Sequence, residues 1–370
     1  MTNTKKKSYK GTILLLRNIK EIKEILGFLD NLPIRNLVLK YNVDSYVKEF
    51  NTLHLIKIAV LYFYSKERHL KHFLEALLEN ELCCSIFGVP KISVQQVYKA
   101  LKKRCWLFFY ELFEHVVSEF KNYGIAECRL FRGREIKIAD STFLVYALSR
   151  IFFAKLGYCS SEQEYKTGIK LHVLLNYSRN TIEKFIETGG NTHDSKAANT
   201  LLKDVKDCVL IFDKGYQNIE RFASLNNRNV VFIIPLRQKL KFNIIDEKVI
   251  HYETGNVEVK IVELSNGLRV QYVKCLDFEL ICNDCSLQWY EIVSLYSFRW
   301  EIESLFKRLK QLWKINKPLF RNHNSIMAFI CITLIAVAVL DKLTEIMGWD
   351  VKQIHHKIGR KVELCLLRLE

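Results

Sequence analysis

Proline is scarce in this chain, 4 among 370 residues, and glycine contributes only 14. With 49% apolar and 26% charged residues beside that scarcity, the chain is neither disordered nor low-complexity, and its length can fill the cores of two or three domains. Long hydrophobic runs are lacking too. The most apolar one, Ile326 to Leu340 (IMAFICITLIAVAVL), falls short of the roughly 20 residues that span a bilayer, so a buried helix is expected there and no membrane partner. The opening MTNTKKKSYKG leads into no apolar core of a signal peptide, which makes the cytoplasm the expected compartment. Acidic residues are the minority, 40 against 56 Lys and Arg, and the formal charge of +16 suits a polyanionic partner, either nucleic acid or an anionic surface. Cysteine is plentiful at eleven, but the spacing is scattered. One CxxC, Cys282 and Cys285, has Cys275 and His251 upstream but no second pair at zinc-ribbon spacing, so core cysteines are expected rather than a disulfide or metal framework. His355 and His356 are adjacent, and neighbours on a helix point about 100° apart, so they are expected at the surface rather than as a metal pair.

Basic residues gather in two stretches: ten against five acidic residues from Lys91 to Lys137, and seven against two from Arg299 to Arg321. Two separate basic surfaces are expected. The first 35 residues are basic and then amphipathic, punctuated by Pro33, and from Asn51 to Phe120 the apolar positions recur at helical spacing. Gly88-Val89-Pro90 interrupts that pattern, and Ser93 stands where it can cap the next helix, whose basic end reads VYKALKKR. Helix, turn and basic helix fit either a helix-turn-helix reader of the major groove or a helical hairpin with a solvated basic face.

After Gly133 the period shortens to that of strands: EIKIAD (135–140), GIKLHVLLNY (168–177), TIEKFIETG (181–189), DCVLIFD (207–213) and NVVFIIPL (229–236), with helical stretches SKAANTLLKDV and NIERFASLNN among them. That order predicts an α/β fold with a mixed sheet flanked by helices. Residues 237–284 read as a β-rich insertion, with hairpin signals at Thr254-Gly255-Asn256 and Ser265-Asn266-Gly267. The expected division is a helical N-terminal region (1–130), a core begun at 131–236, the insertion (237–284), the core resumed at 285–345 and a tail (346–370).

Two of the strands end in an aspartate, Asp140 and Asp213. In an open α/β sheet, ligand and catalytic groups collect at strand ends, although an Asp there more often caps a turn. The stretch YSFRWEIESLFKRLK (296–310), read as one helix, puts Tyr296, Arg299, Glu303 and Lys310 within an arc of about 60°, beside an apolar arc of Phe298, Ile302, Leu305, Phe306, Leu309 and Trp313. Asp140, Asp213 and Glu303 around one point would repel each other, and divalent cations would remove that difficulty.

With Tyr296, Arg299, Glu303 and Lys310 at the spacing Tyr-x2-Arg-x3-Glu-x6-Lys, the sequence resembles the IS4-type DDE transposases, bacterial insertion-sequence enzymes with an RNase H-like core whose signature has that spacing. IADST, TGIKLHVLLN, GGNTHDS and FDKGY also resemble landmarks of that family in its order, across about Ile136 to Ala338. The resemblance implies that Asp140, Asp213 and Glu303 are the catalytic carboxylates and hold two Mg²⁺ ions, which Mn²⁺ can replace. It implies metal-dependent cleavage at transposon ends and strand transfer into target DNA. Tyr296, Arg299 and Lys310 would grip phosphates, and Trp300 is either a stacking platform for a flipped base or a packed aromatic. His193 and Asp194 belong to a landmark near the active site. Lys214 and Tyr216 either touch DNA or flank a turn that Gly215 permits. The implied partners are double-stranded terminal repeats and target DNA, with a homodimer on DNA in the nucleoid-containing cytoplasm. A catalytically silent DNA-binding derivative and a nuclease without strand transfer are the competing functions.

Overall fold

The computed structural model describes residues 20–32, 34–67, 69–121, 129–146, 155–159, 163–236, 240–252, 255–276, 278–316, 320, 322–348 and 350–367. The basic N-terminal segment, Pro33, Thr254 of the first hairpin signal and Arg321 fall outside them. The chain divides into two compact units, one built chiefly from Met1–Phe120 with Leu309–Glu370, the other from Lys121–Ser149 with Phe153–Arg308. The division differs from the expected one: the last 62 residues (370 − 308) count with the N-terminal helices.

The helical unit begins with α1 (Lys20–Asp30), α2 (Ile34–Tyr41), α3 (Thr52–Tyr64), α4 (Leu70–Glu79), α5 (Glu81–Phe87), α6 (Val94–Lys103) and α7 (Trp106–Phe120). Gly88 ends α5 in the left-handed region at φ 61°, and Ser93 starts α6 through a capping box with Gln96. Of the basic end of α6, Lys99, Lys102 and Lys103 are exposed. Arg104 is buried instead: it donates to Asp44 Oδ1 at 3.0 Å, to Thr52 Oγ1 at 2.7 Å and to the Phe50 carbonyl at 2.7 Å, so it holds a loop. The unit is completed by α12 (His323–Met347) and α13 (Val351–Leu367). The apolar run belongs to a 25-residue helix capped by Asn322 and Gly348, long and apolar enough by length and composition to cross a membrane. Within the protein, 94% of its most apolar window is buried, because α12 packs against α3, α6 and α7 and is apolar on every side. The expected tail is helical, and α13 packs on α3 and buries His355 between Tyr64 (5.7 Å between ring centroids) and Trp313 (5.1 Å). His355 is therefore not a surface residue. Its neighbour His356, 100° around the helix, is exposed.

The second unit is an 11-stranded mixed sheet. Its strands are β1 (Leu130–Phe131), β2 (Arg134–Val145), β3 (Lys155–Cys159), β4 (Glu164–Asn176), β5 (Thr181–Gly189), β6 (Cys208–Phe212), β7 (Val231–Pro235), β8 (Phe242–Tyr252), β9 (Gly255–Leu264), β10 (Arg269–Cys275) and β11 (Phe278–Cys282). β2, β4 and β5 form an antiparallel meander, after which β6 pairs parallel to β2 and β7 parallel to β6, with α8 (Asp194–Leu201) and α9 (Ile219–Asn227) as crossovers. The strand order there is β5-β4-β2-β6-β7, the mixed sheet expected from the sequence. The insertion is no separate layer: β11 pairs antiparallel to β7, and β10, β9 and β8 extend the same sheet outward. Cys208, Val209, Leu210, Ile211 and Phe212 of β6 are all buried, as expected of a central strand covered on both faces.

One feature of the sheet comes from glycine. A Cβ on Gly157, Gly168 or Gly190 would fall within 2.9 Å of the Phe143 ring or of a neighbouring carbonyl oxygen, so GGNTHDS begins where the chain crosses closely over β2 and β3.

Candidate active site

Asp140 is placed by the competition of two neighbours for β2. β6 pairs with β2 only as far as Ala139↔Phe212, whereas β4 continues beside it to Val145↔Gly168. Asp140 therefore lies inside β2 rather than at its end, opposite Val173, at the point where the parallel neighbour leaves. Asp213 follows the last residue of that neighbour. The two aspartates thus stand side by side on adjacent parallel strands, each at the same step of the sheet.

Each carboxylate also does local work. The Ser141 N–H donates to Asp140 Oδ1 at 2.7 Å, and the Gly215 N–H donates to Asp213 Oδ2 at 3.2 Å, so that Asp213 caps the 3-10 turn Lys214–Tyr216. Burial, then the charges of Asp213 and Asp194, push the Asp140 carboxyl up to about 7, against the Ser141 N–H and Arg299, which favour its ionised form.

The helix expected over 296–310 is two helices, α10 (Trp289–Ser297) and α11 (Arg299–Gln311), with Phe298 as the cap between them. Across the break Tyr296 still faces Arg299, whose guanidinium lies 5.7 Å from the Tyr296 ring centroid. Tyr296 is buried, 6% exposed, edge-on to Phe278 at 5.8 Å, with its hydroxyl pushed up to about 12 by burial first. Phe298, expected in the apolar arc, is half-buried and stacks on Tyr177 with centroids 4.6 Å apart. Arg299 and Glu303 keep their place on one face. Arg299 Nη1 lies 2.6 Å from Glu303 Oε1 and 3.8 Å from Asp140 Oδ2, and its guanidinium sits near the rings of Tyr296 and Trp300. Its Nε is buried without a hydrogen-bond partner. Trp300 is 64% exposed and so is not a packed aromatic. Lys310 is half-buried on the last turn of α11, in the part that counts with the helical unit.

Around the two aspartates lies a polar network that sequence reading reached only through the GGNTHDS landmark. Asp194 Oδ1 accepts from Ser141 Oγ at 3.1 Å and from Lys170 Nζ at 3.1 Å. His172 Nδ1 is 3.7 Å from Asp194, but burial pushes this histidine down to about 4, so it is neutral near pH 7 and the contact is not an ion pair. Its ring bridges the Tyr216 hydroxyl (3.1 Å) and Thr188 Oγ1 (2.9 Å). Tyr216 is therefore buried and Lys214 exposed. His193 is an exposed N-cap of α8.

Hard divalent cations fit part of this donor set. Asp140 is a desolvated carboxylate beside two more, and a cation with oxygen preference would supply the charge they lack. Glu303 is engaged by Arg299, and among the described residues no three His, Cys, Asp or Glu groups stand close enough to hold an ion. That includes the CxxC region, where Cys282 is buried, Cys285 exposed, and His251 bonded to Asn256 at 2.9 Å.

The family model described as Transposase DDE domain matches residues 131–339, more than half of the chain. The chain belongs to the DDE transposase family. Such transposases generally use divalent metal ions. The chain is 25% identical over 188 residues to a protein named as transposase y4zB of Sinorhizobium fredii, covering 47% of this chain and 52% of that one. It is 24% identical over 170 residues to one named for insertion sequence element IS4SA of Synechocystis sp., covering 42% and 47%. A protein named for insertion sequence element IS5377 of Geobacillus stearothermophilus is 20% identical over 267 residues, covering 69% and 68%. The chain thus spans about half the length of the first two relatives. A cryo-EM structure of a piggyBac transposase synaptic complex with hairpin DNA aligns at a TM-score of 0.48 and 11% identity, over 93% of this chain and 77% of that one.

Proposed function

We propose that this transposase cleaves phosphodiester bonds at the ends of an insertion sequence and transfers the freed strand into target DNA, with Asp140, Asp213 and Glu303 holding two Mg²⁺ ions. The observation that carries the reading is the pair of aspartates on adjacent parallel strands, with Arg299 reaching from α11 to both Asp140 and Glu303. Bound ions of this class would activate the attacking water or 3′-OH and neutralise charge on the leaving oxygen. The chain's own residues do the rest. In the free protein Arg299 is the cation that offsets Asp140 and Glu303. With cations held by the carboxylates, the Arg299 guanidinium would be free to bind a DNA phosphate, which would also satisfy its unpartnered Nε. Tyr296 packs beneath that guanidinium and Trp300 offers an exposed face for base stacking, while Lys310 adds a point charge to a backbone phosphate. The partners are terminal inverted repeats and target DNA, engaged by a homodimer in the cytoplasm, at the nucleoid.

One observation favours a second reading, a DNA-binding derivative that does not cut: Glu303 is ion-paired to Arg299 and the three carboxylates are not gathered as a ligand set. A single experiment separates the two. A labelled duplex carrying the inverted repeat beside the gene is incubated with wild type and Glu303→Gln, with Mg²⁺ and with EDTA. Metal-dependent cutting at the repeat boundary by wild type alone supports the transposase reading. Binding by both without cutting, in Mg²⁺ and Mn²⁺, leaves the silent binder.

A further inference from the structure

Asp140 and Asp213 are each oriented by a backbone N–H, those of Ser141 and Gly215; one further carboxylate accepts from the Ser141 hydroxyl and lies where a Cβ on Gly215 would meet it. Asp194, the first residue of α8, accepts from Ser141 Oγ at 3.1 Å through Oδ1. Its Oδ2 lies on the Gly215 side, where a Cβ added to that glycine would come within 2.9 Å of it. Asp194 thus stands between the two turns that aim the aspartates.

Asp194 is itself fixed. Lys170 binds Oδ1 at 3.1 Å and also donates to the Thr192 carbonyl at 3.3 Å. His172 stands opposite Ser141 in the register of β2 and β4, its ring between Tyr216 and Thr188. Arg221 donates to the carbonyls of Ser195 and Tyr216 and to Asn199 Oδ1 at 2.8 Å, tying the start of α8 to the turn after Asp213. A carboxylate already neutralised by an ammonium and hydrogen-bonded to a neighbour's hydroxyl is built to hold structure. Like-charged carboxylates splay apart unless something holds them, and a misplacement of about 1 Å can cost about 100-fold in rate.

We propose that Asp194 is a positioning residue for phosphodiester cleavage: through Ser141, and by abutting Gly215, it sets how Asp140 and Asp213 face each other. The inference rests on the reading of those two aspartates given above, and the test keeps the two apart.

Full-length wild type, Asp194→Ala, Asp194→Asn, Ser141→Ala/Asp194→Ala and Asp140→Asn are compared. The readouts are single-turnover cleavage of the repeat duplex at saturating protein and Mg²⁺, Kd for that duplex in EDTA, thermal midpoint, and Mn²⁺ binding without DNA, followed by electron paramagnetic resonance. Asp194→Ala is expected to cut about 100-fold more slowly with an unchanged Kd and to bind Mn²⁺ about tenfold more weakly. Asp194→Asn keeps an oxygen for Ser141 and recovers to within about tenfold of wild type on both readouts. The double variant is no slower than Asp194→Ala, because the removed hydroxyl and carboxylate act as one unit. Three results overturn the inference: an Asn variant as impaired as Ala, an Ala variant with wild-type rate and Mn²⁺ affinity, or a loss of DNA binding and thermal midpoint in parallel with the rate. If Asp140→Asn is inactive while Asp194→Ala is normal, this inference alone falls. A wild-type rate in Asp140→Asn removes the site and this inference together. Should no protein cut the duplex, the Mn²⁺ titration decides on the same criteria.

Discussion

In the proposed site, Arg299 stands between the carboxylates that would take cations and the DNA. Its guanidinium is 2.6 Å from Glu303 and 3.8 Å from Asp140, so it blocks the third carboxylate while offsetting the first. Arg299→Ala should therefore bind Mn²⁺ severalfold more tightly in the absence of DNA and yet cut at least about tenfold more slowly, since a charge-assisted phosphate contact is worth about 1.5–3 kcal/mol. Titration of Mn²⁺ and a cleavage assay on one preparation check both signs, and weaker Mn²⁺ binding would refute the exchange. A second residue predicts a pH effect on stability. Burial, then Lys314, push His355 down from 6.5 to about 4. The unfolded chain then takes up a proton that the folded one refuses, so stability falls as pH drops from about 6.5 to about 4 and levels off below. The loss is up to about 3.5 kcal/mol at about 1.4 kcal/mol per pKa unit. His355→Phe, tested by urea unfolding between pH 4 and 7, should flatten that part of the profile. His355 was not legible as buried because its outward partner, His356, has the same local sequence context; only packing on Tyr64 and Trp313 distinguishes them.

Elements were legible where their signals are local. The Ser93 capping box, the Gly88 stop and the strand Thr181–Gly189 all follow from patterns a few residues long. The junction at Phe298 was not, because neither glycine nor proline marks it: the sequence pattern continues, while Tyr296 turns toward Phe278 and Phe298 toward Tyr177. Lys314 shows a similar long-range device. Its ammonium, 6% exposed, donates to the carbonyls of Tyr62 (3.1 Å), Ser65 (2.8 Å) and Glu67 (2.8 Å), closing the C-terminal end of α3. Lys314→Met should leave buried carbonyls unsatisfied and cost about 2–3 kcal/mol, read as a lower denaturant midpoint at unchanged slope. In the sheet, Gly190→Ala would bring a Cβ within 2.6 Å of the Lys155 carbonyl and of the Phe143 ring. The crowding should cost about 1–3 kcal/mol and shift the loop that leads to Asp194, which amide exchange in residues 190–194 would register.

At the scale of the whole molecule the charge of +16 favours the proposed DNA partner at long range. If six or more phosphates are neutralised, affinity for a repeat duplex should fall by about 10³ between 50 and 200 mM salt, and a fluorescence-anisotropy titration would expose a shallower dependence. Arg104 shows why counting basic residues overstates the available surface: the sequence places it at the end of a basic helix, while the structure spends it on Asp44, Thr52 and Phe50. The sequence by itself determined the types and order of most elements and the family, and it singled out Asp140, Asp213 and Glu303 as candidates, because these lie in short-range periodicity and in fixed spacings along the chain. Tertiary structure alone decided that the insertion strands extend the core sheet and that the last helices count with the first. It also decided that Tyr296 is buried, that Arg299 pairs with Glu303, and that Asp194 accepts from the Ser141 hydroxyl beside Asp140. Burial and the choice of ionic partner are settled by contacts between residues far apart in the chain, where desolvation makes one partner decisive, and no local pattern encodes them.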